Sequence, residues 1–140
     1  MIELIKASFD LSKERTITED LVKPFDNVLL IMPQDIQAPK GRLIMPQVQT
    51  IRDLLDKKAM IYIASVDNME EILSNMIKSP DLIITDSQYF AQVKGKTPKD
   101  SKLTSFSILF SAYKGDIDYF LESVYVLDNP DKVSKILIAE

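Results

Sequence analysis

The stretch Asn27 to Leu55, NVLLIMPQDIQAPKGRLIMPQVQTIRDLL, reads as a buried strand, a polar loop and a helix, which is the first half of a parallel α/β unit. Val28 to Met32 form a continuous apolar run without alternation, the pattern of a strand covered on both faces by helices. Pro33 closes it. The loop Gln34 to Arg42 carries Asp35, Lys40 and Arg42 beside a single glycine, Gly41. Pro46 stands where a first helical turn should begin, a position at which its missing N–H costs nothing. Val48, Ile51 and Leu55 then share one helical face.

Working outward, Ala59 to Ala64 (AMIYIA) predicts a second strand of similar apolar character. Asp67 with Glu70 three residues on predicts a capping box, opening a helix whose buried face is Met69, Ile72, Leu73, Met76 and Ile77. Pro80 ends that helix, and Leu82 to Ile84 predict a third strand running into Thr85, Asp86 and Ser87. Residues 91–102, AQVKGKTPKDSK, contain Gly95 and Pro98 and read as a surface loop. Thr104 can cap a helix over Ser105 to Tyr113, Asp116 starts another, and Lys135 to Ala139 supplies a fourth strand. Before the first strand, Thr18 to Val22 is a short helix candidate. The expectation is an α/β fold, an open four-stranded parallel sheet with the flavodoxin-like start 2-1-3-4 and helices on both faces, as right-handed crossovers require.

Bulk numbers narrow the function. At 140 residues the chain suits one domain, able to bury roughly 70% of its unfolded surface without staples. No apolar run approaches the roughly 18 residues of a membrane span, and no signal peptide is visible, so the cytoplasm is the expected location. There is no cysteine and no histidine, which removes disulfides, thiolate catalysis, sulfur-ligated metals and the commonest general base. A net charge of −4 argues against a nucleic-acid partner.

The first block also carries a resemblance. MPQDIQAPKGRLIMPQVQTIRDLL, with TDSQ at Thr85 to Gln88, LTSFSILFSAYKGD at Leu103 to Asp116 and the closing ILIAE, resembles the middle, dimerisation domain of HydF, the GTPase that helps mature FeFe-hydrogenase. The family pattern is a GTPase domain, this middle domain, and an iron-sulfur cluster domain. The resemblance implies that residues 1–13 are a linker from a missing GTPase domain and that residues 14–140 are the dimerisation domain. It implies that the chain stops just before the first cluster ligands. The expected function is a non-catalytic dimerisation scaffold, joining two protomers through a continuous intersubunit sheet. No cofactor is expected in this piece, the parent family using GTP with magnesium and an iron-sulfur cluster. The expected partners are a second copy, the parent's own GTPase and cluster domains, and by resemblance other hydrogenase maturases and the hydrogenase.

Two candidate sites follow. In an open parallel sheet, ligands collect beyond the carboxyl ends of the strands where the order reverses. That crevice lies between Asp35, Lys40 and Arg42 on one loop and Asp86, Ser87 and Gln88 on another. Lys40 and Arg42 could receive an anion, or order the loop, or meet a neighbouring domain; Asp35 with Asp86 could be a carboxylate pair, or simple turn caps. A flavodoxin-like domain binding an anionic ligand or nucleotide there is the alternative function. The triplet Gly95, Lys96, Thr97 mimics the end of a P-loop, but Phe90 stands where its first glycine should be.

The second candidate is a sheet edge. Strand Ala59 to Ala64 would lie at the rim with Met60, Ile61, Tyr62 and Ile63 making both faces apolar, without the proline or inward charge that usually guards an edge. Pairing with its own copy would join two sheets about a two-fold axis. Ile136 and Ile138 on the last strand form the competing edge. The helix carrying Phe106, Leu109 and Phe110 either flanks the seam or is a doubly buried core helix.

Overall fold

A computed structural model of the chain describes residues 15–32 and 42–115. Strand β1, Asn27–Ile31, is buried along its whole length because it has a strand on each side and helices on each face. Its continuous apolar run is therefore what its position demands. Helix α1, Met45–Asp56, leads to β2, Met60–Ala64. Helix α2, Met69–Asn75, leads to β3, Leu82–Thr85. Helix α3, Phe90–Lys96, leads to β4, Lys102–Ser105, and helix α4, Phe106–Lys114, closes the described chain.

All pairings are parallel and the order is β2-β1-β3-β4. Alternate residues of β1 and β3 serve opposite layers. Val28, Leu30, Leu82 and Ile84 pack with Leu54 of α1 and with Phe106 and Leu109 of α4. Leu29, Ile31 and Ile83 pack with Met69 of α2 and Val93 of α3. The expected class and strand order are those observed.

Several local expectations are corrected. The fourth strand of the described sheet is Lys102–Ser105; Lys135 to Ala139 lies outside the described residues, as does the helix expected from Asp116. Residues 91–102 are not one loop: α3 takes the first half of the stretch and buries Val93, Thr97 to Ser101 form a short turn, and β4 begins at Lys102. Four residues reading KLTS are too short and too polar to announce a strand, and only register against β3 makes them one. Ser105, not Thr104, caps α4, its hydroxyl accepting from the Ile108 N–H at 3.3 Å.

The capping box at Asp67 does not form. Asn68 is the N-cap of α2, and its Oδ1 turns back to accept from the Ser65 N–H at 2.8 Å. The helix also ends earlier than its periodicity suggests, leaving Met76 extended and Ile77 fully exposed. Ser79 precedes Pro80 and is disfavoured from helical backbone, so the chain must straighten before β3. Near the N-terminal side, the helix expected over Thr18 to Val22 is a single 3-10 turn, Glu19–Leu21.

Asp81 ties three strands together at the amino edge of the sheet. Its Oδ2 accepts from the Asn27 N–H at 2.9 Å, its N–H donates to the Asn27 carbonyl at 2.8 Å, and its own carbonyl accepts from the Lys102 N–H at 3.2 Å. The Lys78 ammonium, bonded to Oδ1 at 2.8 Å, and the Asn27 N–H hold the Asp81 carboxyl below its ordinary value of 3.8. A lowered carboxylate contributes stability that is complete above the ordinary value and is lost as the pH falls through the lowered one. In Asp81→Asn we expect a flatter acid limb in a plot of Tm against pH, the two curves converging as the pH falls. Parallel curves would show that this carboxylate does not contribute.

Candidate dimer interface

Strand β2 is at the rim because the chain places β1 and β3, the most apolar segments, in the middle of the sheet. Ile61 reaches the α1/α4 layer and Tyr62 the α2/α3 layer, each partly buried. Their neighbours stand further out: Ile63 is 52% exposed on the α1 side and Met60 45% exposed on the other. No proline or charge interrupts the strand. An apolar rim of this kind is a pairing surface unless something covers it.

Helix α1 extends the rim into a second layer. One of its sides, with Gln49, Asp53 and Asp56, lines a groove shared with Tyr113 of α4 and the leading residues Arg15 to Ile17. Helical spacing turns Val48 and Leu55 to the opposite side, above β2, and both are exposed, as is Met45. Arg52 lies between them, exposed, and its guanidinium reaches toward the groove to pair with Asp56 at 2.9 Å.

The remaining candidates divide as follows. Phe106 and Leu109 are only 3% and 2% exposed and pack into the protomer's own core, while Phe110 is partly buried against it, edge-on to the Tyr113 ring. Their helix meets β4 and α1, so α1 is the helix above the β2 rim. The doubly buried alternative describes the inner face of α4 only; Ile108 and Tyr113 on the same helix are exposed. Ile136 and Ile138 lie outside the described residues. Of the face that spacing gives to Val48, Ile51 and Leu55, only Ile51 packs against the core; Val48 and Leu55 are exposed, and Gln47, Thr50 and Leu54 are the residues that α1 buries.

At the other candidate site, Ile31 and Thr85 stand side by side where β1 and β3 end, as the reversal of strand order requires. Asp35 and Lys40 lie outside the described residues, and Arg42 is exposed. Asp86 is half-buried and engaged with neighbours, and Gln88 is exposed. The Ser87 hydroxyl meets that of Ser107 and lies 3.5 Å from that of Ser105, while Ser105 and Ser107 are 2.9 Å apart. These hydroxyls satisfy one another at the start of α4. The P-loop mimic is the end of α3: Lys96 pairs with Glu70 of α2 at 2.9 Å, and the Thr97 hydroxyl donates to the Val93 carbonyl at 2.8 Å. Among the described residues no helix is long and apolar enough to cross a membrane.

A search of curated proteins returns no match. The family model described as the hydrogen maturase F dimerization domain matches residues 17–115, which spans the whole four-stranded sheet and its helices. Since that match covers well over half of the chain, the protein belongs to the hydrogen maturase F dimerization domain family, and self-association is the role of its fold.

Proposed function

We propose that the domain is a non-catalytic scaffold that joins two protomers of a HydF-like maturation GTPase by extending the sheet across β2 into a second copy. The observation that carries the reading is the unguarded rim: Met60 and Ile63 exposed on opposite faces of one edge strand, with Val48 and Leu55 of α1 exposed above it. A five-residue strand alone offers too little surface. A stable homodimer buries about 1,200–2,000 Å² or more, and the α1 stripe supplies a second apolar layer toward that area.

In this reading residues 1–13 link to the parent's GTPase domain and the chain beyond the sheet leads to its cluster domain. GTP with magnesium and the iron-sulfur cluster belong to those domains, and the dimer holds two of each in fixed relation. By family resemblance the assembly works in the cytoplasm with other maturases and the hydrogenase. The test is light scattering of the 140-residue chain over a concentration series. A mass of twice 15.9 kDa is expected, and a persistent monomer would rule the reading out.

Anion binding at the crevice of Lys40, Arg42 and Ser87 is supported less well, because the serine hydroxyls there are already mutually bonded. Its one favouring observation is the buried Thr85 hydroxyl, which has no hydrogen-bond partner among the described residues. Phosphate or nucleotides should leave the melting temperature unchanged; a rise that saturates with concentration would revive this function.

A further inference from the structure

The register of the seam can be read from which backbone groups of β2 are free. The Met60 N–H donates to the Asp26 carbonyl at 2.9 Å, and the Ala64 carbonyl accepts from the Met32 N–H at 2.9 Å. Within a strand the N–H and C=O of one residue point the same way, and the direction alternates along the chain. Met60, Tyr62 and Ala64 therefore address β1, while Ile61 and Ile63 address the open rim.

The next residues in the outward phase are already engaged. The Ala59 N–H donates to the Leu54 carbonyl at 3.0 Å, closing the end of α1. The Ser65 N–H donates to Asn68 Oδ1 at 2.8 Å, opening the turn into α2. Among the described residues the Ile61 and Ile63 N–H groups have no partner, so an incoming strand finds donors there and none beside them.

A two-fold axis normal to the sheet brings the second copy in antiparallel. Centring the axis on Ile61 would set Ile63 opposite the partner's Ala59, whose N–H is taken. Centring it on Ile63 would set Ile61 opposite the partner's Ser65, whose N–H is also taken. Centring it on Tyr62 sets Ile61 opposite the partner's Ile63, and every free N–H and C=O then finds its counterpart.

We infer that the seam closes about a two-fold axis passing beside Tyr62, with Ile61 paired to the partner's Ile63 and Tyr62 facing the partner's Tyr62. Side-chain sizes agree with this register. On the α1 side the exposed Ile63 covers the partner's Ile61, and on the other side the exposed Met60 lies opposite the small Ala64 of the partner subunit. The proposal rests on the dimer reading above and deepens it.

The chain contains no cysteine, so each engineered thiol is the sole one present. In the Tyr62-centred register the two Tyr62 positions form a non-hydrogen-bonded pair with Cα atoms about 4.5 Å apart, within disulfide range. Ile61 and the partner's Ile61 are then diagonal, beyond the roughly 7 Å limit for bridging. Mild oxidation of Tyr62→Cys should give a covalent dimer on a non-reducing gel. Ile61→Cys and Ile63→Cys should each stay uncrosslinked alone, yet form a mixed disulfide when the two proteins are unfolded together, refolded as a mixture and oxidised. That mixture keeps the test independent of any folding defect in Tyr62→Cys. A chain that scatters as a dimer but crosslinks through Ile61→Cys or Ile63→Cys alone overturns the register while leaving the dimer. A monomeric wild-type chain overturns both.

Discussion

Ile63→Lys is expected to turn the dimer into a folded monomer, weakening association at least about a hundredfold, or about 3 kcal/mol. In the isolated protomer Ile63 is 52% exposed on an edge strand, so a lysine there can extend into water with little loss of packing. In the proposed seam the same side chain would be enclosed. The substitution removes an apolar contact and forces an ammonium into a desolvated strip that holds no carboxylate: β2 has no acidic residue. Two-fold symmetry counts every loss twice. Sedimentation velocity on the variant should show one slow species, with a circular dichroism spectrum like that of the wild type.

Ile61→Lys is the poorer probe, because Ile61 also packs into the α1/α4 layer and its loss would destabilise the protomer itself. The matching control is Ile108→Lys. Ile108 is exposed to the same extent, 52%, but lies on α4, separated from the β2 rim by α1. It should leave the dimer intact. Equal affinity in Ile63→Lys and wild type would show that the protomers meet elsewhere.

Asp53→Ala should cost about 2–4 kcal/mol of stability, a large share of the roughly 5–15 kcal/mol that holds a domain together. Asp53 lies on α1, yet its carboxylate serves the segment that precedes β1. It accepts from the Ile17 N–H at 3.3 Å and the Thr18 N–H at 3.0 Å, and from the Thr18 hydroxyl as well. Thr18 is fully buried, so its donors cannot turn to water when the carboxylate goes. The Lys57 ammonium shares the cluster. It donates to the Thr18 hydroxyl at 2.8 Å and to the Glu19 carbonyl, and stands 3.9 Å from Asp53.

Burial pushes Lys57 below its ordinary value, against the opposing pull of Asp53, Asp20 and Glu19. A lysine lowered in the folded state subtracts stability while it is charged, and the deficit closes as the pH rises through its lowered value. Without Asp53 the charged form is harder to bury, so the gap between variant and wild type should narrow in alkali. Urea melts at neutral and alkaline pH measure both effects. Asp53→Asn keeps one acceptor and should lose less. A variant as stable as wild type would show that the leading segment is not held by this carboxylate.

Much of the fold was legible in the residues. Val28 to Met32 and Leu82 to Ile84 are apolar without alternation, and a strand enclosed on both faces is what tolerates that composition, so burial alone places this pair at the centre of the sheet. The rim was legible too, since AMIYIA is apolar on both faces yet shares the edge position with no proline or charge. What escaped were elements whose identity is not written locally. Strand β4 has one residue, Leu103, that packs with the α2/α3 layer, and its pairing with β3 is a matter of distance in space. Helix α3 contains Gly95 and buries only Val93 completely, so its periodicity was too weak to outweigh the glycine and Pro98. The inward face of α1 was not legible because two of the residues that make it, Gln47 and Thr50, are polar. Both are nevertheless buried, Gln47 Oε1 accepting from the Ile44 N–H at 3.3 Å and the Thr50 hydroxyl donating to the Pro46 carbonyl at 2.8 Å.

By itself the amino-acid sequence determined that this protein is a parallel α/β sheet, which segments lie at its centre and that Ala59 to Ala64 is one of two candidate oily edges, because hydrophobic burial is a property of composition and period. Tertiary structure alone decided that Lys102–Ser105 completes the described sheet, that a helical aspartate holds the segment before β1, and which backbone groups along β2 are free. Those depend on hydrogen bonds between residues far apart in the chain, and a hydrogen-bond partner is set by position in space.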